Sequence, residues 1–282
     1  MRGRRFKMGK KKTNLSLRYF LLAFGLSFLI LSLIALPILL WTIHPKEESA
    51  GTPQDSVPVT SIPGSYTDRE TILICLRQEN SQAPYQYLLT GFLPDRLQLS
   101  LTVFLPNTPL SVEHSAGTLE QAYQYGGCGE VARQLAQEMR ISIGKYIDLT
   151  DLTLSNAVDF AGGFSYNFPA SMTLPNGVAI SSGSQYIGGE LFVGLLHSTQ
   201  QKQDPVMALE LYGKLMKNIF ALPDYSHIQQ LYQEVINSME TNLSLHDLAK
   251  QEEAITLMLH PEYVHLAPYM GDNLASLAEE YR

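Results

Sequence analysis

Few residues in this chain are typed and spaced for chemistry. Zinc needs clustered His or Cys at ligand spacing, and the nearest case is His260-Pro-Glu-Tyr-Val-His265. Proline interrupts that run and the gap fits no ligand pattern, so no metal site is expected. Gly126-Gly127-Cys128-Gly129 precedes a helical pattern, where the helix dipole could lower a thiol pKa. No histidine lies beside Cys128 in sequence, and glycines there serve a tight turn equally well. Cys75 is the other cysteine. Two cysteines allow one disulfide outside the cytosol but do not make a framework, so paired and free forms both stay open. A Walker loop, a G-x-S-x-G elbow and a zincin motif are missing.

The elements that would position any site begin after a marked change in charge. Residues 1–18 carry eight Lys or Arg and no acid, whereas residues 19–282 hold 12 basic against 27 acidic residues. Between the basic tail and the acidic body, 25 residues from Tyr19 to Ile43 carry no charge. At 1.5 Å per helical residue that run crosses a hydrocarbon core of about 30 Å. It is longer than the apolar stretch of about 7–15 residues in a cleaved signal peptide, and no small-residue cleavage pattern closes it. The positive-inside rule places 1–18 in the cytoplasm and the rest outside, a single-pass cytoplasmic-membrane topology, with Tyr19 and Trp41 at the two interfaces. A cationic cluster abutting a span is an orientation signal, so nucleic acid is not expected as a partner.

Residues 44–67 hold four prolines, two glycines and many small polar residues, a flexible linker that buries no core. Order is expected from about residue 68 to 282. Continuous apolar runs and period-2 alternation predict strands at 71–76, 85–92, 97–105, 145–149 and 164–168, with a Pro94-Asp95-Arg96 turn between the second and third. Leu97, Leu99, Leu101 and Val103 alternate with Gln98, Ser100 and Thr102, as on a strand with one covered face. Helical periodicity appears at 118–125, ended by Gly126-Gly127, and at 130–140, 151–163, 189–198, 204–220, 225–240 and 244–259. Asp204 and Pro205 read as an N-cap and first-turn proline. Strands alternating with helices predict an α/β/α sandwich around a mixed sheet.

Several segments together resemble the extracytoplasmic domain of the LytR–CpsA–Psr family, bacterial proteins that transfer glycopolymers from a polyprenyl-pyrophosphate carrier onto peptidoglycan. QAYQYGG (121–127) resembles the family's H-A-Y-x-Y-G-G, and VDFAGGFSYNFP (158–169) its V-D-A-L-G-G-V segment. GSQYIGGELFV (183–193) resembles G-x-Q-x-L-x-G-E-x-A-L, and TNLSLHDLA (241–249) a T-D-L-S-x-x-D-L helix start. The resemblance implies the family fold from about 68 to 260 and a place in the cell envelope. It also implies partners among polyprenyl-linked lipids or cell-wall polymers.

The family's working residues do not carry over. Its arginines are expected to hold the pyrophosphate, because a guanidinium fork matches phosphate oxygens, and its aspartates to hold Mg²⁺. Here the S-I-P-R-D segment is Phe104-Leu105-Pro106-Asn107-Thr108, and the acid opening the preceding strand falls at Gln86. The A-Y-x-R-x-R ending of the motif helix becomes Gly194 to Thr199, leaving His197 and Thr199 in place of charge. Gln185, Gly189 and Glu190 match their motif, and Gln185, Glu190 and His197 are the candidate ligand-binding residues. No arginine occurs between Arg140 and Arg282. Each charge-assisted bond is worth roughly 1.5–3 kcal/mol, so losing three costs on the order of 5 kcal/mol, or thousands-fold in affinity. The expectation is a catalytically degenerate binding or scaffolding module that needs no cofactor. The alternative is a phosphotransferase with substituted site residues and Mg²⁺. A wall spacer or sensor differs from the first only in its ligand.

Overall fold

The computed structural model describes residues 69–110, 117–237, 240–271 and 274–282. The basic tail, the apolar run at 19–43 and the linker all lie outside the described residues. Among the described residues no helix is long and apolar enough to cross a membrane.

Six strands form a mixed central sheet in the order β10-β3-β2-β1-β4-β9. β1 (Glu70–Arg77), β2 (Gln86–Leu93) and β3 (Gln98–Phe104) make an antiparallel meander. β4 (Lys145–Thr150) joins parallel to β1, and β10 (Val264–Leu266) parallel to β3. β9 (Glu240–Thr241) closes the far edge against Ile147 and Asp148. The continuous apolar run of β1 is explained by cover on both faces. Leu73 and Cys75 pack on the side of α1 (Leu119–Met139), whereas Ile72, Ile74 and Leu76 pack on the opposite side. That opposite side is filled by α2 (Asp151–Phe160), α3 (Gly189–Gln201) and α4 (Pro205–Ile219), followed by α5 (Tyr225–Asn237), α6 (Leu245–Lys250) and α7 (Glu252–Met258). The short α8 (Leu274–Leu277) joins α1 on the first side.

The two cysteines pair: Cys75 in β1 is bonded to Cys128 in α1, both buried, across 53 residues of sequence. That excludes Cys128 as a free nucleophile in this structure. Helix α1 leaves helical geometry at Gly126 and Gly127, whose φ values are −156° and +68°, so the break expected at that pair is a kink between two helical stretches. Thr118 caps the first stretch by accepting from the Gln121 N–H. Asp204 caps α4 by accepting from Met207 N, with Pro205 in the first turn, as the sequence indicates.

Four expectations are corrected. The strand at 164–168 does not enter the central sheet: β5 (Phe164–Phe168) pairs with β8 (Gly183–Ile187) in a separate two-stranded ribbon, and β6 (Met172–Thr173) with β7 (Ala179–Ile180) in another. Leu97 is not the first residue of β3; it closes the Pro94–Arg96 turn at φ +50°. Ser100 and Thr102 do not face water. Tyr281 donates to Thr102 Oγ1, and Thr102 in turn to Ala267 O, so the C-terminal segment covers that face. The pattern at 244–259 is two helices broken at Gln251.

Candidate functional site

Ligand sites on open α/β sheets gather at the carboxyl ends of parallel strands. Here β1 and β4 deliver Arg77, Gln78, Glu79 and Asp148 to one place, and β2 starts beside them with Tyr85 and Gln86. Helix α2 begins directly after β4, so Asp151 is its first residue, capped by Thr150. His197 comes from the last half of α3 and Tyr212 from α4.

These groups are bonded to each other. Arg77 Nε donates to Asp148 Oδ1 at 2.7 Å, and the Tyr123 hydroxyl donates to the other oxygen. Asp148 is buried, and its hydrogen bond raises the Arg77 pKa further. The Tyr85 hydroxyl donates to Asp151 Oδ1 at 2.8 Å, while its ring meets His197 edge-on at a centroid distance of 4.7 Å. The Gln78 amide nitrogen lies 3.5 Å from His197 Nδ1, and His197 Nε2 lies 2.9 Å from Asp151 Oδ2. Burial, with Tyr212 and Asp151 adding to it, pushes the Tyr85 phenol well above its ordinary range, so it stays a neutral donor. Gln86 is fully buried; its Oε1 accepts from the Tyr212 hydroxyl at 3.0 Å and its Nε2 has no partner.

The arrangement opposes a phosphate. A helix N-terminus is an anion seat, but that of α2 is filled by the chain itself: Glu79 accepts from Leu152 N and Thr150 Oγ1 from Thr153 N. Of the three carboxylates, Glu79, Asp148 and Asp151, only Asp148 is paired with a guanidinium, that of Arg77. The carboxylate oxygens are engaged as described, and among the described residues no group of three His, Cys, Asp or Glu could hold a metal ion.

The residues singled out in the sequence scatter. Gln86 and His197 reach this centre through Tyr85 and Tyr212. Thr199 is buried with its hydroxyl turned back to Leu196 O inside α3. Thr108 is buried and Asn107 exposed in the segment leading from β3 toward α1. Gln185, half-buried on β8, and Glu190, exposed in the first turn of α3, sit at the other end of that helix. His260 caps a short turn while His265 meets Glu280 at 3.2 Å, so the two do not converge. Sequence reasoning missed Arg77, Glu79, Tyr85, Asp148 and Asp151. The available signal was polar residues placed directly after the apolar runs ILICL (72–76) and YI (146–147).

No family model and no curated protein sequence matches the chain. Solved structures do. A protein from Eubacterium siraeum described as a candidate transcription regulator superposes with TM-score 0.67 at 18% identity, covering 83% of this chain and 98% of that one. TagV from B. subtilis gives 0.60 at 12%, covering 76% and 95%. TagT bound to LIIa-WTA gives 0.60 at 14%, covering 76% and 90%. The fold is the LytR–CpsA–Psr fold.

Between this sheet and the helices lies an apolar pocket of about 150 Å³, lined among others by Ile72, Phe92, Leu99, Phe220, Tyr232 and Leu248, with Glu70 and Asp247 also on its wall. That is below the roughly 300–1,000 Å³ of ordinary small-molecule pockets, and no cation lines it.

Proposed function

We propose that this protein is a catalytically silent LytR–CpsA–Psr-like module, anchored by residues 19–43 with its domain outside the cytoplasmic membrane, acting as a binding or scaffolding part of cell-wall glycopolymer assembly. The fold supports the cell-wall role, since TagT structures hold wall teichoic acid precursors. The observation that carries the silent assignment is the closed centre: its carboxylates, tyrosines and His197 satisfy one another, and its net charge repels a pyrophosphate. The small pocket without a basic mouth agrees. The buried Cys75–Cys128 pair supports the outside location, because disulfides persist in oxidising compartments.

The full-length protein in detergent, with Mg²⁺ or Mn²⁺ and a polyprenyl-pyrophosphate substrate, is expected to show no hydrolysis or transfer. Metal-dependent turnover abolished by His197→Ala would overturn the proposal and make His197 a substitute ligand. Placing Arg at 107, 197 and 199 and Asp at 86 is expected to create weak binding at most, because the surrounding groups no longer support those side chains. For topology, cysteines introduced at 10 and 55 are probed from outside intact cells. Labelling at 55 alone is expected, and labelling at 10 alone would sink the orientation.

A further inference from the structure

A second cavity, of about 480 Å³, opens at the far end of α2 and α3. Along α3 it lies about 12 Å from His197, eight residues at 1.5 Å each. Two glycine pairs build it. At Gly163, φ is +57° and a Cβ would stand 2.5 Å from Ile187 O; at Gly189 a Cβ would stand 2.0 Å from Ser155 O. Only bare backbone lets β5, β8 and the start of α3 close up this far. The same closeness seats Tyr186: its hydroxyl donates to Gly162 O at 3.1 Å, and its phenol end lies 2.6–2.8 Å from where a Gly163 Cβ would be. The ring is therefore fixed against the turn, yet 63% exposed.

Around that ring the cavity offers acceptors and an apolar floor. Leu174, Val178 and Leu191 line it beside Asn176, Asp159 and Glu190. Asp159 uses Oδ1 to accept from Gly189 N at 2.7 Å, and Asn176 uses Oδ1 to accept from Val178 N, which leaves Asp159 Oδ2 and the Asn176 amide nitrogen for a ligand. No lysine or arginine lines the cavity, so an anion is excluded. Glu190 stands in the first turn of α3, whose positive end offsets its charge, and Asp159 spends one oxygen on the Gly189 N–H, so the pull on a cation is lessened. What remains is a neutral ligand rich in hydroxyl donors, with one C–H face to lay on a fixed aromatic ring. We infer that the Tyr186 cavity is a binding subsite for a neutral saccharide, separate from the closed centre. It extends the binding role proposed above by naming a ligand class, and its test does not involve turnover.

The probes are soluble N-acetylglucosamine and glucose tetrasaccharides and a lysine-containing peptide, each added to the full-length protein in detergent. Saturation-transfer NMR detects contact and calorimetry gives affinity. One saccharide is expected to bind, with little dependence on salt. Tyr186→Ala is expected to weaken it about tenfold and Tyr186→Phe less than about threefold, since stacking and not the hydroxyl holds the sugar. Gly188→Ala puts a methyl 3.1 Å from Asp159 Oδ1 and 3.5 Å from Tyr186 Cε1, filling the notch between them, and is expected to abolish binding with thermal stability retained. Tyr125→Ala, at an exposed tyrosine on α1, is the unchanged control. Binding by neither saccharide, equal binding by Tyr186→Ala, or salt-sensitive preference for the lysine peptide would each overturn the inference. None of these would restore activity to the closed centre.

Discussion

Helices α2 and α3 run between two polar regions that differ in one respect. At the start of α2 and the latter half of α3, Asp151, His197 and Tyr85 use their polar atoms on each other. At the opposite ends, Asp159 and Asn176 spend one atom on the backbone and keep another, while Tyr186 is fixed by its hydroxyl and open on its ring. The lesson is that polar side chains alone do not make a site. A side chain half-satisfied by its own fold is held in place and still has a bond to give, whereas a mutually satisfied cluster is held in place and has none.

The sharpest way to separate the two regions is to cut the disulfide. Closing 53 residues stabilises by about 4 kcal/mol through the unfolded chain. Cys75→Ala/Cys128→Ala is expected to lose about that much in guanidinium denaturation. Hydrogen exchange should rise first at 77–79, two residues beyond Cys75, and last at 183–191. Equal loosening of both would break the comparison.

Arg77→Ala comes next. It leaves the Asp148 carboxylate, 6% exposed, without its counter-charge and held by the Tyr123 hydroxyl, and is expected to cost about 3 kcal/mol by urea denaturation, with no effect on saccharide affinity. Smaller effects test the flaw inside the closed centre. Gln86→Leu alone removes the acceptor of the buried Tyr212 hydroxyl and is expected to cost about 1 kcal/mol. Adding Tyr212→Phe removes the stranded donor, and because the Gln86 nitrogen already lacked a partner, the double variant is expected to be near neutral. A double variant worse than the single one would show that the Tyr212 hydroxyl keeps another partner once Gln86 is gone.

The smallest effect is electrostatic and lies in neither region. Hydrogen bonds from Lys145 and then Ser244 hold the Asp247 carboxyl down to about 2 from its ordinary 3.8. A depressed carboxyl gives its stability above its unfolded value and loses it as pH falls through the folded one. Melting temperatures measured from pH 5 down to pH 2 should therefore drop less for Asp247→Asn than for the native chain. The difference is expected to be under about 1 kcal/mol.

Much of the fold was legible because it rests on local signals. The apolar runs of β1, β2 and β4, the Asp204–Pro205 start of α4 and the glycine pair in α1 each state their role within a few residues. β5 was misassigned to the central sheet because a period-2 run says that a strand exists and nothing about its partner. The burial of Ser100 and Thr102 was hidden for a similar reason, since their cover comes from Tyr281, far along the chain. As for the site, family motifs drew attention to positions where charge was missing. The residues that fill the centre, Tyr85, Asp151 and Glu79, meet only when β1, β2 and β4 are side by side, and no motif carries them.

The contact of Tyr281 also sets a timetable. Its ring lies where a side chain on Gly91 would be, with 2.5 Å from a Cβ there to Tyr281 Cδ1, and its hydroxyl reaches Leu89 O and Thr102 in the heart of the sheet. A chain made from its N-terminus produces Leu89 of β2 192 residues and Thr102 of β3 179 residues before the group that seals them. Until residue 281 arrives, the patch of the meander around Gly91 and Thr102 lacks its cover, an opening that other chains can meet. On the proposed topology the same delay applies beyond the membrane, so the meander is sealed only after residue 281 has crossed.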